Sequence, residues 1–372
     1  MRYFGMLTVV LTLASASISQ ASLLKEAVIA NEKDDLLAEF RKLMPLAKSG
    51  DVKAQHYIGL MYITGEGVPK DIQQGLIWLR KAADQGDADA QSSLGLLYSK
   101  GESVPKDDQQ ALLWFVKAAE QGEATAQYNL SSMYINGEGV PNDIQQGLVW
   151  LRKAADQGIA VAQYNLGAMY AHGFGVPKDT QQALIWFRKA ADQGDADAQS
   201  NLGVLYSSGD GLPKDDQQAL FWFSKAADQG DADSQYALGL IYVLGKGVPK
   251  DNQQALNWFR KAAEQGVANA QYNLGFLYST GEGVQKNNEQ ALMWLRKAAD
   301  QGVTEAQTNL GLMYAKGEGV QKDEQQAYFW WLLANTKGNA DTARNLSIVE
   351  RKLTPQQRAI VQAQASDWKP RK

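Results

Sequence analysis

The 372-residue chain contains no cysteine. No disulfide can form, and no thiolate is available to bind zinc or to attack a substrate, so the fold must hold by packing alone. Histidine is nearly as scarce, with His56 and His172 the whole supply. A metal centre or a nucleophile–base pair needs clustered ligands, and two histidines so far apart in sequence do not announce one. No metal, cofactor or catalytic residue is therefore expected. Lys and Arg number 37 against 41 Asp and Glu, for a formal charge of −4. That balance argues against general nucleic-acid binding and against a polybasic membrane anchor. Past residue 21 there is no apolar stretch of the roughly 20 residues that a membrane-spanning helix needs.

Residues 1–21 read as an export leader. Arg2 supplies the positive start, residues 6–13 a short apolar run, and Ala14, Ser15, Ala16 and Ser19-Gln20-Ala21 the small side chains of a cleavage region. Cleavage after Ala21 is the first choice and after Ala16 the second. The apolar run is too short to span a bilayer. The competing reading is a helical N-terminal cap. A lipid-modified leader is excluded, because that chemistry needs a cysteine. The exported chain is expected in the periplasm or, as the second choice, secreted to the medium. The N-x-S sequons at Asn129 and Asn345 fall in predicted helices and read as chance.

What the chain does contain is repetition. One phrase, A-Q-Y-N-L-G-x-M-Y-x-x-G-E-G-V-P-K-D-x-Q-Q-A-L-x-W-x-x-K-A-A-D-Q-G, recurs eight times every 36 residues without insertion or deletion. Its tryptophan falls at Trp78, Trp114, Trp150, Trp186, Trp222, Trp258, Trp294 and Trp330. Its tyrosine falls at Tyr62, Tyr98, Tyr134, Tyr170, Tyr206, Tyr242, Tyr278 and Tyr314. A fixed period of this size marks a stacked repeat array, which offers a long surface and suits holding a molecule better than transforming one.

The fourth copy predicts two helices. Over residues 162–172 the apolar and small positions Ala162, Leu166, Gly167, Met169 and Tyr170 recur at i, i+4, i+7 and i+8, an amphipathic helix A. Gly173 ends it as a left-handed C-cap, and the loop through Pro177 cannot stay helical. Asp179 begins helix B, and with Gln182 it reads as a capping box. The pair recurs at Asp71/Gln74, Asp107/Gln110, Asp143/Gln146, Asp215/Gln218, Asp251/Gln254 and Asp323/Gln326, with Asn287/Gln290 as the conservative exception. Helix B carries Ala183, Leu184, Trp186, Phe187, Ala190 and Ala191 and ends at Gly194. Each copy is thus two antiparallel helices of about 12–14 residues joined by a short loop.

A glycine column runs through helix A at Gly59, Gly95, Gly167, Gly203, Gly239, Gly275 and Gly311, with Ser131 in the third copy. A mid-helix glycine costs about 1 kcal/mol relative to alanine. Its recurrence predicts that helix B approaches closely there. The paired alanines of helix B (Ala82-Ala83 and equivalents) predict the same, and the Trp and Tyr columns fill the remaining space. Truncating a buried tryptophan of this kind costs about 3–5 kcal/mol.

The phrase closely resembles the Sel-one-like repeat (SLR) family, a relative of the tetratricopeptide repeats. The resemblance rests on A-Q-x-x-L-G-x-x-Y-x-x-G, G-V-x-K-D and A-x-x-W-x-x-K-A-A-x-x-G, and covers residues 54–341. Departures are small: Ser103 replaces a loop glycine, Gln285 and Gln321 the loop proline, and Gly75 and Gly147 the first alanine of helix B. The resemblance implies an all-α, right-handed superhelical solenoid with helix A lining the concave side. Residues 22–53 then hold N-terminal capping helices: Phe40, Leu43, Leu46 and Ala47 stand in register with Leu76, Leu79, Ala82 and Ala83. Residues 342–372 hold the C-terminal caps, with Thr354-Pro355-Gln356-Gln357 as a fresh helix start. Two finished ends are what a complete array is expected to have.

Chemistry-bearing candidates are few. His56 and His172 read as surface or groove histidines. The Gly65-Glu66-Gly67 loops and their equivalents follow a helix and lack a third glycine, so they read as interhelix turns and not as phosphate cradles. Asp107-Asp108 and Asp215-Asp216 read as helix caps. The Arg-Lys pairs at Arg80-Lys81, Arg152-Lys153, Arg188-Lys189, Arg260-Lys261 and Arg296-Lys297 complement the helix dipole and solvate the outer face, with a basic partner site as the other reading.

Matching the L-G-x-x-Y core to the resemblance places Tyr128, Tyr164, Tyr236 and Tyr272 towards the groove, in one column with His56, Ser92, Ser200 and Thr308. Asn129, Asn165, Asn201, Asn273 and Asn309 run beside them. A tyrosine face and an asparagine amide together suit an extended peptide. The plainer reading is that both columns brace the stack. The expected function is a non-enzymatic scaffold for a protein or peptide partner. The resemblance also brings two alternatives. One is cell-wall-fragment or β-lactam binding or hydrolysis, linked to cysteine-rich relatives whose cysteine pairs this chain lacks. The other is a secreted factor that engages host cells.

Overall fold

The structure, a computed structural model, describes residues 33–335 and 340–371. The expected leader over residues 1–21 and the first part of the expected N-terminal cap lie outside them. Every regular element among the described residues is an α-helix. In chain order they are α1 (Lys33–Lys48), then the pairs α2 (Val52–Thr64) and α3 (Ile72–Asp84), α4 (Ala88–Lys100) and α5 (Asp108–Glu120), α6 (Ala124–Asn136) and α7 (Ile144–Asp156), and α8 (Ala160–His172) and α9 (Thr180–Asp192). There follow α10 (Ala196–Ser208) and α11 (Asp216–Asp228), α12 (Ala232–Leu244) and α13 (Asn252–Glu264), α14 (Ala268–Thr280) and α15 (Asn288–Asp300), and α16 (Thr304–Lys316) and α17 (Glu324–Ala334). The last two are α18 (Ala340–Glu350) and α19 (Pro355–Asp367). The even-numbered helices α2–α16 are helix A of each copy; the odd-numbered α3–α17 are helix B. Two compact units divide between Ala198 and Gln199. Each is an all-α solenoid of antiparallel pairs.

Each unit is a chain of small cores. One core joins Leu79, Ala82 and Ala83 of α3, Ala90 and Leu94 of α4, and Trp114 of α5. The tryptophan of a copy therefore sits against its own helix A and the preceding helix B. In the second unit Trp294 of α15 occupies the same place with Phe259, Ala262, Ala263, Ala270 and Leu274. Each of these two cores uses residues of two successive copies, so the copies in them do not bury their apolar faces alone.

The close approach expected at the glycine column is present. A Cβ on Gly95 would lie 2.6 Å from the Phe115 ring, and one on Gly167 would lie 2.8 Å from the Phe187 ring. The intruder is the residue after each tryptophan, Phe or Leu in most copies and Trp331 in the last.

The helix B caps are half of what the sequence predicts. Asp143 is in extended conformation (φ −143°, ψ 92°), and its carboxylate accepts from the N–H groups of Gln145 and Gln146. The returning arm of a capping box is absent, because the Asp143 N–H donates to the Tyr134 carbonyl at 2.8 Å. All eight copies use the tyrosine carbonyl in this way, from Asp71 on Tyr62 to Asp323 on Tyr314. The backbone donor is already satisfied, so the Gln side chain has nothing to cap. Thr354 and Gln357 at the start of α19 do form the complete box.

The glycine pair of the interhelix loop is a turn device. Gly137 and Gly139 have φ of 74° and 66°, the left-handed region that side chains avoid. A Cβ on Gly139 would also press on the Asp108 carbonyl of the preceding helix B at 2.6 Å.

Candidate functional site

Three sets of polar side chains are spent on holding the stack together. The first is a glutamine ladder. Gln91, in the first turn of α4, is 4% exposed. Its Nε2 donates to the Ala83 carbonyl at the end of α3 at 2.9 Å. Its Oε1 accepts from Gln121, which follows α5, at 2.7 Å. The same pair of bonds recurs through Gln127 and Gln157, through Gln163 and Gln193, and through Gln271 and Gln301. One buried amide thus binds the preceding helix B, its own helix A and the following turn.

The second set is the Arg-Lys pairs. Lys153 Nζ lies 3.9 Å from the Trp150 ring centroid and Lys261 Nζ lies 4.0 Å from that of Trp258, cation–π geometry in both cases. Arg152 donates to the Tyr170 hydroxyl at 2.8 Å, and Arg260 to that of Tyr278 at 2.9 Å. These basic groups are engaged with the Trp and Tyr columns. Most of them are also exposed on the outer face, as the sequence predicts, and Arg188 pairs with Asp192 at 3.2 Å.

The third set surrounds His56. The sequence reading as a surface or groove histidine is corrected here, because His56 is 1% exposed. Its ring lies beside Asp87 and Asp89, and these three offer ligand atoms within 4.8 Å of one another. Lys53 already supplies the cation: its Nζ lies 2.9 Å from Asp87 and 2.7 Å from Asp89. His56 Nδ1 stands 3.7 Å from Asp87, and Nε2 3.4 Å from Ser93 Oγ. Burial lowers the His56 pKa below 6.5, against the pull of the two aspartates. His172 is exposed near the C-terminal end of α8.

The nine expected groove residues divide by burial. Tyr128 and Asn129 are 1% and 0% exposed, and Asn165 is 8% exposed. For these three the groove placement is corrected. Asn165 Nδ2 donates to the Tyr128 hydroxyl at 3.1 Å, a bond between successive A helices. Burial pushes the Tyr128 phenol up to about 12, with the Asn165 bond opposing the shift. Asn129 lies wholly inside the stack. The other six, Tyr164, Asn201, Tyr236, Tyr272, Asn273 and Asn309, are half-buried. Tyr164 rests on Phe187 and Tyr236 on Phe259, each at 5.8 Å between ring centroids. Tyr272 leans on Phe276 at 6.3 Å, and Asn309 lies against its hydroxyl.

In the first unit, His56, Ser92 and Tyr128 of this column are closed and Tyr164 is half-buried. In the second, Ser200, Tyr236, Tyr272 and Thr308 stay half-open. Next to them Leu244 and Phe276 are 57% and 38% exposed. Among the described residues these two are the exposed large apolar side chains of the even-numbered helices α2–α16. The paired carboxylates have local roles. Asp107 caps Gln109 and Gln110, and Asp108 pairs with Lys106 at 3.3 Å. No helix among the described residues is long and apolar enough to cross a membrane.

Among solved structures, the chain is 37% identical to a protective antigen of uropathogenic Escherichia coli strains that displays an SLR fold. That match covers 90% of this chain and 73% of the antigen, with a TM-score of 0.78. It is 35% identical to a Sel1 repeat protein from Oxalobacter formigenes, over 87% of this chain and 95% of that one, with a TM-score of 0.61. No curated protein matches the sequence. The Sel1 repeat profile matches residues 52–87, 88–123, 124–159, 160–195, 196–231, 232–267, 268–303 and 304–339 in unbroken succession. Helix pair, glycine contact and tryptophan socket recur in that same register, and the chain belongs to the Sel1 repeat family.

Proposed function

We propose that this chain is a non-enzymatic scaffold that binds a protein or peptide partner on its helix A surface, and that it works outside the cytoplasm, in the periplasm or secreted. The observation that carries the reading is the contrast within one repeat. The repeated polar residues are spent on caps and braces, whereas α12 and α14 keep half-open tyrosines beside exposed Leu244 and Phe276. Apolar side chains left in water on a regular surface favour a partner that covers them. The contact set is Asn201, Tyr236, Tyr272, Asn273 and Asn309 of the second unit; Tyr164 is a separate candidate within the first. Tyr128 and Asn165 brace the first unit, where Asn129 is buried.

Export is supported by the leader-like N-terminal segment and by the likeness to a protein described as a protective antigen. That likeness also favours a second reading, a secreted factor that meets host cells. Cell fractionation separates them: a mature chain found in the periplasmic extract favours the scaffold, and one found in the culture supernatant favours the host-facing factor.

Capture from native envelope extract, after crosslinking, tests the contact set. Replacing Tyr236 and Tyr272 by alanine is expected to abolish capture while helicity is kept. Unchanged capture would sink the surface assignment. Turnover of a chromogenic β-lactam by the pure chain above a buffer control would overturn the non-enzymatic reading.

A further inference from the structure

Among the described turns from helix B to the next helix A, one is covered. In the second unit a Cβ on Gly230 or Gly266 would meet nothing within 4 Å, whereas one on Gly302 would lie 3.3 Å from Pro370 Cγ and 3.9 Å from the Trp368 ring. The same space is empty beside Gly86, Gly122, Gly158 and Gly194 of the first unit. The residues that end helix B divide in the same way: Asp228 and Glu264 are exposed, and Asp300 is half-buried.

The cover is the segment that follows α19. That helix lies on α17, where Gln362 Nε2 donates to the Tyr328 hydroxyl at 2.8 Å. The chain leaves it in extended conformation, with φ −69° and ψ 139° at Trp368. Pro370 fixes its own φ and keeps Lys369 out of the helical region, so the extended form is set by the sequence. The Arg371 N–H then donates to the Asp300 carbonyl at 2.8 Å. That carbonyl is one of the acceptors that a helix C-terminus leaves unpaired. Trp368 packs on the core that Tyr272 and Val303 also border. Lys369, Pro370 and Arg371 stay exposed. One backbone bond, a proline ring and an indole thus make the contact. An extended segment with an aromatic residue, a proline two positions on and a free N–H after it reproduces all three.

We propose that residues 368–371 are a resident ligand of the second unit: they cover the turn at residues 300–303, on the core that also carries Tyr272, and an extended aromatic-X-Pro segment of a partner displaces them. The proposal rests on the reading of the helix A surface as the partner surface, and it names the chemistry of the partner and the step that admits it. A segment attached to its own site competes at an effective concentration in the millimolar range. A free segment of the same chemistry therefore binds well only where the attached one is gone.

The test follows the amide signals of residues 300–303 by NMR in the isotope-labelled chain while the peptide Trp-Lys-Pro-Arg is added. A chain ending at Asp367 is compared with the full chain. The shortened chain is expected to show saturable shifts at that turn, and the full chain to need at least about tenfold more peptide. The peptide Ala-Lys-Ala-Arg is expected to shift neither. Should the shortened chain melt far below the parent, Trp368→Ala in the full chain takes its place with the same expectation. No shift at residues 300–303 in the folded variant, or equal peptide dependence in variant and parent, would overturn the resident ligand. Capture from envelope extract by the Tyr236 and Tyr272 variants tests the surface separately. If those variants lose capture and the peptide does not bind, the resident ligand fails and the surface stands. If the peptide binds as expected and the tyrosine variants capture as the parent does, the resident ligand stands and the surface reading fails.

Discussion

Each buried glutamine at the start of helix A ties together three pieces of chain with one amide. Replacing Gln127 by leucine removes the donor to the Ala119 carbonyl and the acceptor of the Gln157 amide. Leaving buried polar groups unpaired costs about 1–3 kcal/mol, more than the net worth of an ordinary hydrogen bond. Gln127→Leu is therefore expected to lower the urea midpoint clearly. Gln157→Leu, at the solvent side of the same bond, is expected to lower it less. His56 gives a pH signature. Its folded pKa is depressed by burial, so the unfolded chain binds the proton more readily, and stability falls as pH drops below 6.5. The charged groups facing it are Asp87, Asp89 and Lys53. Urea titrations at pH 7.5 and 5.5 are expected to show this loss in the parent chain and a smaller one in His56→Gln; equal losses would contradict the assignment. Neither feature was legible in the sequence. The glutamines stand in plain periodic columns, but a period does not say that an amide reaches a carbonyl 8 residues back and a second glutamine 30 residues on. The histidine meets its aspartates only because the stack brings residues 56 and 87 together.

The helix pair was the readable part at the scale of elements. Strict recurrence of Asp, Gly and Trp columns located both helices, their ends and the close approach at the glycine. What the columns could not show is which group answers each one. The sequence pairs the helix B aspartate with a reciprocal glutamine, whereas the tyrosine carbonyl of helix A takes its N–H. The cap itself is testable. Asp143→Asn is expected to change stability by only a few tenths of a kcal/mol, because Asn287 performs the same role, and Asp143→Ala to cost about 0.5–2 kcal/mol. At Gly95 two effects oppose each other. Alanine would gain about 1 kcal/mol of helix propensity, but its Cβ would meet the wholly buried Phe115 ring at 2.6 Å. Overpacking costs about 1–3 kcal/mol, so the contact is expected to win. A thermal melt in which Gly95→Ala is more stable than the parent would contradict the close-packing account.

Across the whole molecule, nearest-neighbour cores make an array with many surfaces and one uniform rule, so function must come from where the copies differ. The family resemblance implies the same place towards the groove for Tyr128 and Tyr272. The structure closes the first beneath Asn165 and leaves the second half-open beside Phe276. That difference depends on neighbours in the adjoining copies and is invisible in the repeated phrase itself. The central claim is that the helix A surface of the second unit, and not the helix B surface, meets the partner. Phe276 on helix A and Phe221 on helix B are both exposed aromatic residues, at 38% and 47%. Each can be replaced singly by a photo-crosslinking phenylalanine analogue with little change in packing. Irradiation in the native envelope is predicted to give a discrete crosslinked product from position 276 and none from position 221. A product from position 221 alone would contradict the account.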